Sequence, residues 1–324
     1  MTSVAALGAR DHGSTGGASI AGEDIASYWQ LLRYFADRVR QALAPDDRGA
    51  SLVRAFAHDP AAYPSATVPA LASPSRVLAA MLLDSLPWDA IVAGLGGTLR
   101  VFEVGCGSGS KAARLDALAR GALDRYVGID MAAHAHWAQA AADQRVAFAI
   151  GPADTQALAI PPDTNLIVSE SAVEHFAADR AFFARSAAFA ESVAHPTLHL
   201  HVMPSAASWR EYGPHGYRGY TAQAGASIAS LFPAGSEAML VTLGGLHCRS
   251  VHHRFIRDWL LPWRRRDRRR DEPERYAAAL ARALRSDRGG APVAAKAAAN
   301  LALIIHARPR SALFARHFAP VHAP

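Results

Sequence analysis

Apolar residues in this chain fall into short runs that alternate with helical stripes. The first run is 99–104 (LRVFEV), broken only by Arg100 and Glu103, and the second, 125–130 (RYVGID), ends in a carboxylate. Runs of the same kind stand at 145–150 (RVAFAI), 165–171 (NLIVSES), 197–203 (TLHLHVM), 238–243 (AMLVTL) and 299–307 (ANLALIIHA). Short apolar runs rich in β-branched and aromatic residues read as buried strands. Between them, apolar residues recur at spacings of three and four, which predicts helices over 75–86, 111–119, 134–143, 179–194, 221–231, 247–261 and 275–285. An earlier stripe, 24–44, carries Ile25, Tyr28, Trp29, Leu32, Phe35, Ala36 and Val39 on one face, with Asp24 as its cap and Pro45 after its end. That helix either packs on the core or covers a substrate. Alternating strands and helices imply an α/β protein whose parallel sheet is covered on both faces.

Between the first two runs stands a loop in which Gly105, Gly107 and Gly109 alternate with Cys106 and Ser108. A strand, a glycine turn, a helix and a second strand make a right-handed crossover unit with a ligand site at the strand ends. Glycines let a ligand lie on the main chain, and the first helical turn offers it free N–H groups. Asp130, at the end of the second run, suits the two hydroxyls of a ribose. The dinucleotide fingerprint GxGxxG would need a third glycine at 110, where Ser110 stands. Glu103, just before the loop, would repel a pyrophosphate and suit a cationic ligand bearing an amino group.

The segment ExGxGxG at 103–109, followed by Asp130, resembles the first two motifs of the class I S-adenosylmethionine-dependent methyltransferases, of the small-molecule-methylating kind. The resemblance implies a Rossmann-like seven-stranded sheet, mostly parallel, with the last strand antiparallel between the fifth and sixth. It also implies S-adenosylmethionine as cofactor, held by Glu103, Gly105, Cys106, Gly107, Gly109, Asp130 and Met131. The loop after the third run, GPADT, offers Asp154 to the adenine amino group, although the family's usual order there is closer to GD. The fourth run and the AVEHF after it resemble the family's fourth motif, which adds Glu170 at the cofactor. Asn165 stands where the family usually starts that strand with aspartate.

Glu174 and His175 follow at the carboxyl edge of the sheet, as site residues or as parts of a turn and helix cap. His199 and His201 lie two apart and therefore share one face of a strand. They read either as hydrogen-bonded sheet residues or, for His201, as a functional base. No third ligand accompanies them, so no metal site is expected. Residues 204–220 (PSAASWREYGPHGYRGY) interleave aromatics with glycine and proline, which makes Trp209, Tyr212 and Tyr217 candidate walls of a substrate pocket. The same loop folded onto the core is the alternative. Methyl transfer from a sulfonium chiefly requires alignment of acceptor and methyl group. A hydroxyl or carboxyl acceptor would add a base, for which His175, His201 and His215 are the candidates.

Composition narrows the picture. A hydrophobic fraction of 51% in 324 residues supports a large packed core. Expected divisions are a disordered tail at 1–22, a helical extension or lid at 23–97, the cofactor-binding domain at 98–310 with an insertion near 245–295, and a tail at 311–324. No uncharged apolar stretch reaches the length of about 18 residues that a membrane span needs. The N-terminus shows no leader pattern, and the two cysteines, Cys106 and Cys248, suit a reducing cytoplasm. The net charge of +6 owes half its value to 263–275 (WRRRDRRRDEPER), where seven arginines meet four acids. Interleaved acids mark a self-paired solvated segment, and without any nucleic-acid-reading module the expected partner is a small molecule. The expected activity is methylation of a small molecule at O, N or C. The alternatives are a non-catalytic S-adenosylmethionine-binding protein and an NAD(P)-dependent oxidoreductase on the same topology.

Overall fold

The computed structural model describes residues 36, 39, 49–59, 61, 68–153, 159–212, 216, 218–260, 266–287, 295, 297–309, 313–314 and 317–320. The expected tail at 1–22, most of the 24–44 helix, Asp154, His215 and Tyr217 lie outside the described residues. All seven apolar runs are strands. They are β2 (Leu99–Val104), β3 (Leu123–Asp130), β4 (Val146–Ile150), β5 (Leu166–Glu170), β6 (Thr197–Pro204), β7 (Glu237–Leu243) and β8 (Asn300–Ala307). Two short strands that the sequence did not announce, β1 (Val53–Ala55) and β9 (Ala319–Pro320), extend the sheet at one edge. Strands of three and two residues are too short to carry a hydrophobic period. Pairing places them, with Val53 opposite Leu240 and Arg54 opposite Pro320.

The sheet order is β4-β3-β2-β5-β6-β8-β7-β1-β9. Strands β2 to β6 run parallel, and β8 inserts antiparallel between β6 and β7. The expected seven-stranded Rossmann-like sheet is therefore present, with its last strand antiparallel. Its central strands are buried on both faces, so successive side chains feed two cores. Val101, Leu166, Val168, Leu200 and Ile304 face a layer that includes α1 (Pro74–Ser85), α2 (Trp88–Gly94) and α3 (Lys111–Leu118). Phe102, Ile167, Met203, Leu301 and Leu303 face the opposite layer, with Phe182 and Phe183 from α5 (Asp179–Ser192). Each buried apolar side chain of this size contributes about 1.5–3 kcal/mol.

Local signals set several helix ends. Ser73 Oγ accepts from the Arg76 N–H at 3.3 Å, and Pro74 occupies the first helical position of α1. Thr221 caps α7 (Ala222–Ala229) in the same way, at 3.1 Å from the Ala224 nitrogen. Elsewhere the helices differ from the periodicity. The stripe at 134–143 yields only the four residues of α4 (Trp137–Ala140), because its alanines face solvent at the sheet edge. Residues 88–94, which carried no prediction, form α2, and the Trp88 indole donates to Leu83 O at 2.7 Å.

The predicted helix at 247–261 breaks into α8 (Leu246–Phe255) and α9 (Arg257–Leu260). The described part of the arginine-rich stretch is α10 (Arg268–Asp271), followed by α11 (Pro273–Ser286). Helix α11 lays Tyr276, Leu280 and Leu284 against α8, with the Phe255 and Tyr276 rings 5.4 Å apart. The arginines pair as their interleaved acids suggest: Arg266 with Asp271, Arg268 and Arg275 with Glu272, and Arg269 with Asp267. No single helix among the described residues is long and apolar enough to cross a membrane.

Candidate cofactor and active site

The glycine loop leaves the carboxyl end of β2, and its geometry follows from its neighbours. Gly107 has φ +51° and nothing within 4 Å of the place a Cβ would take, so its main chain faces open space. Gly109 has φ +76°, and a Cβ there would lie 2.3 Å from Cζ of Phe148. The second of these glycines can admit a ligand, whereas the third is demanded by an aromatic ring of the protein itself. The Gly105 and Cys106 nitrogens both donate to Ile129 O, which ties the loop to β3. Burial and nearby carboxylates push the Cys106 thiol up, so it stays protonated.

Asp130 ends β3 beside this loop. Its Oδ2 accepts from the Gly107 N–H at 2.8 Å and its Oδ1 from the Met131 N–H at 2.7 Å. Beyond it, Met131 (54%) and Ile150 (63%) are the exposed large apolar residues at this edge, with Asp130 opposite Ile150 in the β3–β4 register. Trp137 stacks on Phe148 with centroids 4.7 Å apart and planes 9° from parallel, and its indole N–H donates to Gly107 O at 2.7 Å. His134 lies 3.9 Å from Asp130 Oδ2.

On the α3 side, Glu103 and Glu170 come from adjacent parallel strands in which Glu103 is opposite Val168, so both carboxylates share a face. Lys111 opens α3 above them, with Nζ 2.5 Å from Glu170 Oε2 and 3.7 Å from Glu103 Oε1. The Tyr126 hydroxyl donates to Glu103 Oε2 at 2.5 Å. Burial pushes the Glu103 carboxyl up to about 7, against the opposing pull of Lys111 and Tyr126. Burial alone would lower the Lys111 ammonium, but the two carboxylates outweigh it and raise it. An ammonium in the first turn opposes the helix dipole, so the carboxylates are what hold it there.

After Glu170 the chain turns at Ser171, a non-glycine residue at φ +51°, and enters a single turn, Val173–His175. Glu174 is buried, and His175 is part exposed with Nε2 4.0 Å from Glu174 Oε1. The histidine pair on β6 has a different setting. His201 is fully buried, with Nδ1 2.8 Å from Ser169 Oγ, and its ring meets Phe182 and Phe183 edge-on at 5.8 and 5.1 Å. Burial pushes it down to about 3. His199 is equally buried, against Phe232 and Thr197. The structure thus puts His201 in the core rather than with Asp130 and the glycine loop, because β6 is buried on both faces.

Asn165 lies at the opposite end of β5 from Glu170. It donates to Leu95 O at 3.1 Å and Thr98 O at 2.8 Å, and accepts from the Arg100 N–H at 2.7 Å. It joins strand to loop and touches none of the site groups. In the 204–220 segment, Trp209 and Tyr212 bound the short helix α6 (Trp209–Tyr212). Tyr220 is core, its hydroxyl donating to Asp179 Oδ2 at 3.0 Å, and Arg218 pairs with the same aspartate. A small, partly open pocket lies between α6, α8 and the start of β8, lined by Ser75, Ser208, Glu211, Arg249, His252 and Asn300. Among the described residues no group of three or more His, Cys, Asp or Glu could hold a metal ion.

Lys111, Tyr126, Trp137 and Phe148 were not identified as site residues from the sequence. Only Lys111 had a signal, as one of two lysines, with Lys296, in a chain whose other cations are arginines.

The strand order and the antiparallel insertion are those of the class I S-adenosylmethionine-dependent methyltransferase fold. No family model matches the chain, and no curated protein matches it in sequence. Solved structures do resemble it. The plantazolicin methyltransferase BamL, solved with a triazolic desmethylPZN analog and SAH, aligns at TM-score 0.44 and 12% identity over 86% of this chain and 97% of its own. The YcgJ protein of Bacillus subtilis aligns at 0.39 and 16% over 70% and 99%. An S-adenosylmethionine-dependent methyltransferase of Mesorhizobium loti aligns at 0.40 and 13% over 68% and 95%. At these scores the fold assignment rests on the strand order itself.

Proposed function

We propose that this protein transfers a methyl group from S-adenosylmethionine to a small-molecule acceptor. The observation that carries the reading is the meeting of an open Gly107 main chain with Asp130, Glu103 and Glu170 at the carboxyl edge of β2, β3 and β5. The residues fit the cofactor. No protein atom lies within 4 Å of the place a Gly107 Cβ would take, which leaves room for a ligand on that side of the main chain. Asp130 keeps lone pairs for a ribose, Met131 and Ile150 offer apolar flanks for adenine, and the acidic pair beyond the loop, only partly offset by Lys111, disfavours a pyrophosphate. Asp154 is the proposed partner of the adenine amino group.

The cofactor, when bound, supplies an activated methyl group on a good leaving group. The protein's part is alignment and exclusion of water. The acceptor side is proposed to lie with the 204–220 segment, for which Trp209, Tyr212 and Tyr217 are the candidate walls. For an acceptor that needs a base, His175 and His215 remain the candidates. His201, neutral and closed in by two phenylalanines, has no route to a substrate proton.

Calorimetric titration with S-adenosylmethionine and S-adenosylhomocysteine tests the reading. Binding by the unaltered protein and a loss of at least tenfold in Asp130→Ala are expected. Equal binding by the variant, or a response to NADH in place of S-adenosylhomocysteine, would refute it.

A further inference from the structure

The glycine loop is the segment most costly to order, since glycine loses more backbone freedom on folding than any other residue. Gly107 is nevertheless gripped at both ends of its residue. Its N–H is held by Asp130 at 2.8 Å and its carbonyl by the Trp137 indole at 2.7 Å. The indole is fixed in turn by its stack on Phe148, and Phe148 sits under Gly109 and against Gly128, where an added Cβ would lie 3.0 Å from its ring. Trp137, Phe148 and the three residues Gly107, Gly109 and Gly128 therefore form one packed unit, whose side-chain donor to the loop is the indole N–H. Trp137 lies on a helix of four residues, too short to be stable by its own hydrogen bonds. Its position is set by the stack and by the bond to Gly107.

We propose that Trp137 is a positioning residue for the cofactor loop: anchored on Phe148, its indole N–H fixes the Gly107 peptide, and through it Asp130, in the arrangement that binds S-adenosylmethionine. This rests on the cofactor reading above. Without the bond the Gly107–Ser108 peptide is free to rotate, the neighbouring bond from the Gly107 N–H to Asp130 loses its support, and the cofactor must order the loop as it binds. A lost bond of this kind corresponds to about a fivefold weaker affinity.

The test uses Trp137→Phe, which keeps an aromatic ring on Phe148 but removes the donor together with one ring of the indole, and Phe148→Leu, which keeps the donor and deletes the stack. S-adenosylhomocysteine affinity is measured by calorimetry. Exchange of the Gly107 amide is measured by NMR on ligand-free, glycine-labelled protein, with the β8 amides as control. Expected are about fivefold weaker binding in Trp137→Phe, about twofold in Phe148→Leu, at least fivefold faster Gly107 exchange in Trp137→Phe, and unchanged β8 exchange. Faster exchange throughout the sheet would mean a merely structural role and would overturn the proposal, as would unaltered affinity or unaltered Gly107 exchange in Trp137→Phe. If the unaltered protein binds neither cofactor nor product, the cofactor reading fails, and Gly107 exchange still decides whether the latch exists.

Discussion

Replacing Glu103 by glutamine should make the protein more stable at pH 8 and scarcely change it at pH 4. In the fold this carboxyl takes its proton at about 7, against 4.5 for an unperturbed glutamate, because it is buried. The folded chain therefore holds a proton that the unfolded chain releases first. Stability is complete below about pH 4.5 and falls as the pH rises through 7. At about 1.4 kcal/mol per pH unit, the ionised carboxylate costs roughly 3 kcal/mol once the pH is above both values. Glutamine keeps the shape, still accepts from the Tyr126 hydroxyl, and removes that cost. It also removes the attraction to Lys111, whose shorter contact is with Glu170. The net gain is then about 1–3 kcal/mol at pH 8. Urea denaturation followed by circular dichroism at the two pH values measures it. A variant less stable than its parent at pH 8, or equally stabilised at both, would refute the reasoning. Cofactor affinity should move the other way, which would mark Glu103 as a residue kept for binding at the expense of stability.

Three further substitutions, at the two positions flanking β5, probe this part of the sheet. Ser171 stands at φ +51° immediately after Glu170, so Ser171→Gly should match or exceed the parent's stability and Ser171→Val should lose about 2 kcal/mol, read by the same denaturation. Asn165→Asp installs the residue the resembled family carries there, yet it should cost about 3 kcal/mol at pH 7, because two donated bonds become a carboxylate facing the Leu95 and Thr98 carbonyls; a neutral result would show that these bonds carry no weight.

Much of this fold was legible because each sheet strand is a hydrophobic run long enough to be seen, and because glycines and Asp130 mark the turn after β2. The acidic cluster was half legible. Glu103 announced itself by its place before the loop, whereas its bond to Tyr126 and the Lys111–Glu170 contact, between residues 59 apart, depend on how the strands pair. The histidines on β6 show where period-two reasoning stops. It assigns His199 and His201 to one face of the strand, and only the packing of α5 and Phe232 reveals that the face is closed. The glycines were legible as glycines but not in their reasons, since Phe148 explains Gly109 without any ligand.

The position of β8 bears on how the chain assembles as it leaves the ribosome. Strands β2 to β6 can pair in the order in which they are made or close to it, so the half of the sheet bearing the glycine loop can form early. Strand β7 is made next but has no neighbour in that half, and must wait until β8, more than fifty residues later, arrives to bridge it to β6. Until then two strand edges stay open, one of them lined by the apolar residues that β8 will cover. A nascent or truncated chain ending before residue 300 would thus carry a formed glycine loop on an unfinished sheet, and would be prone to self-association.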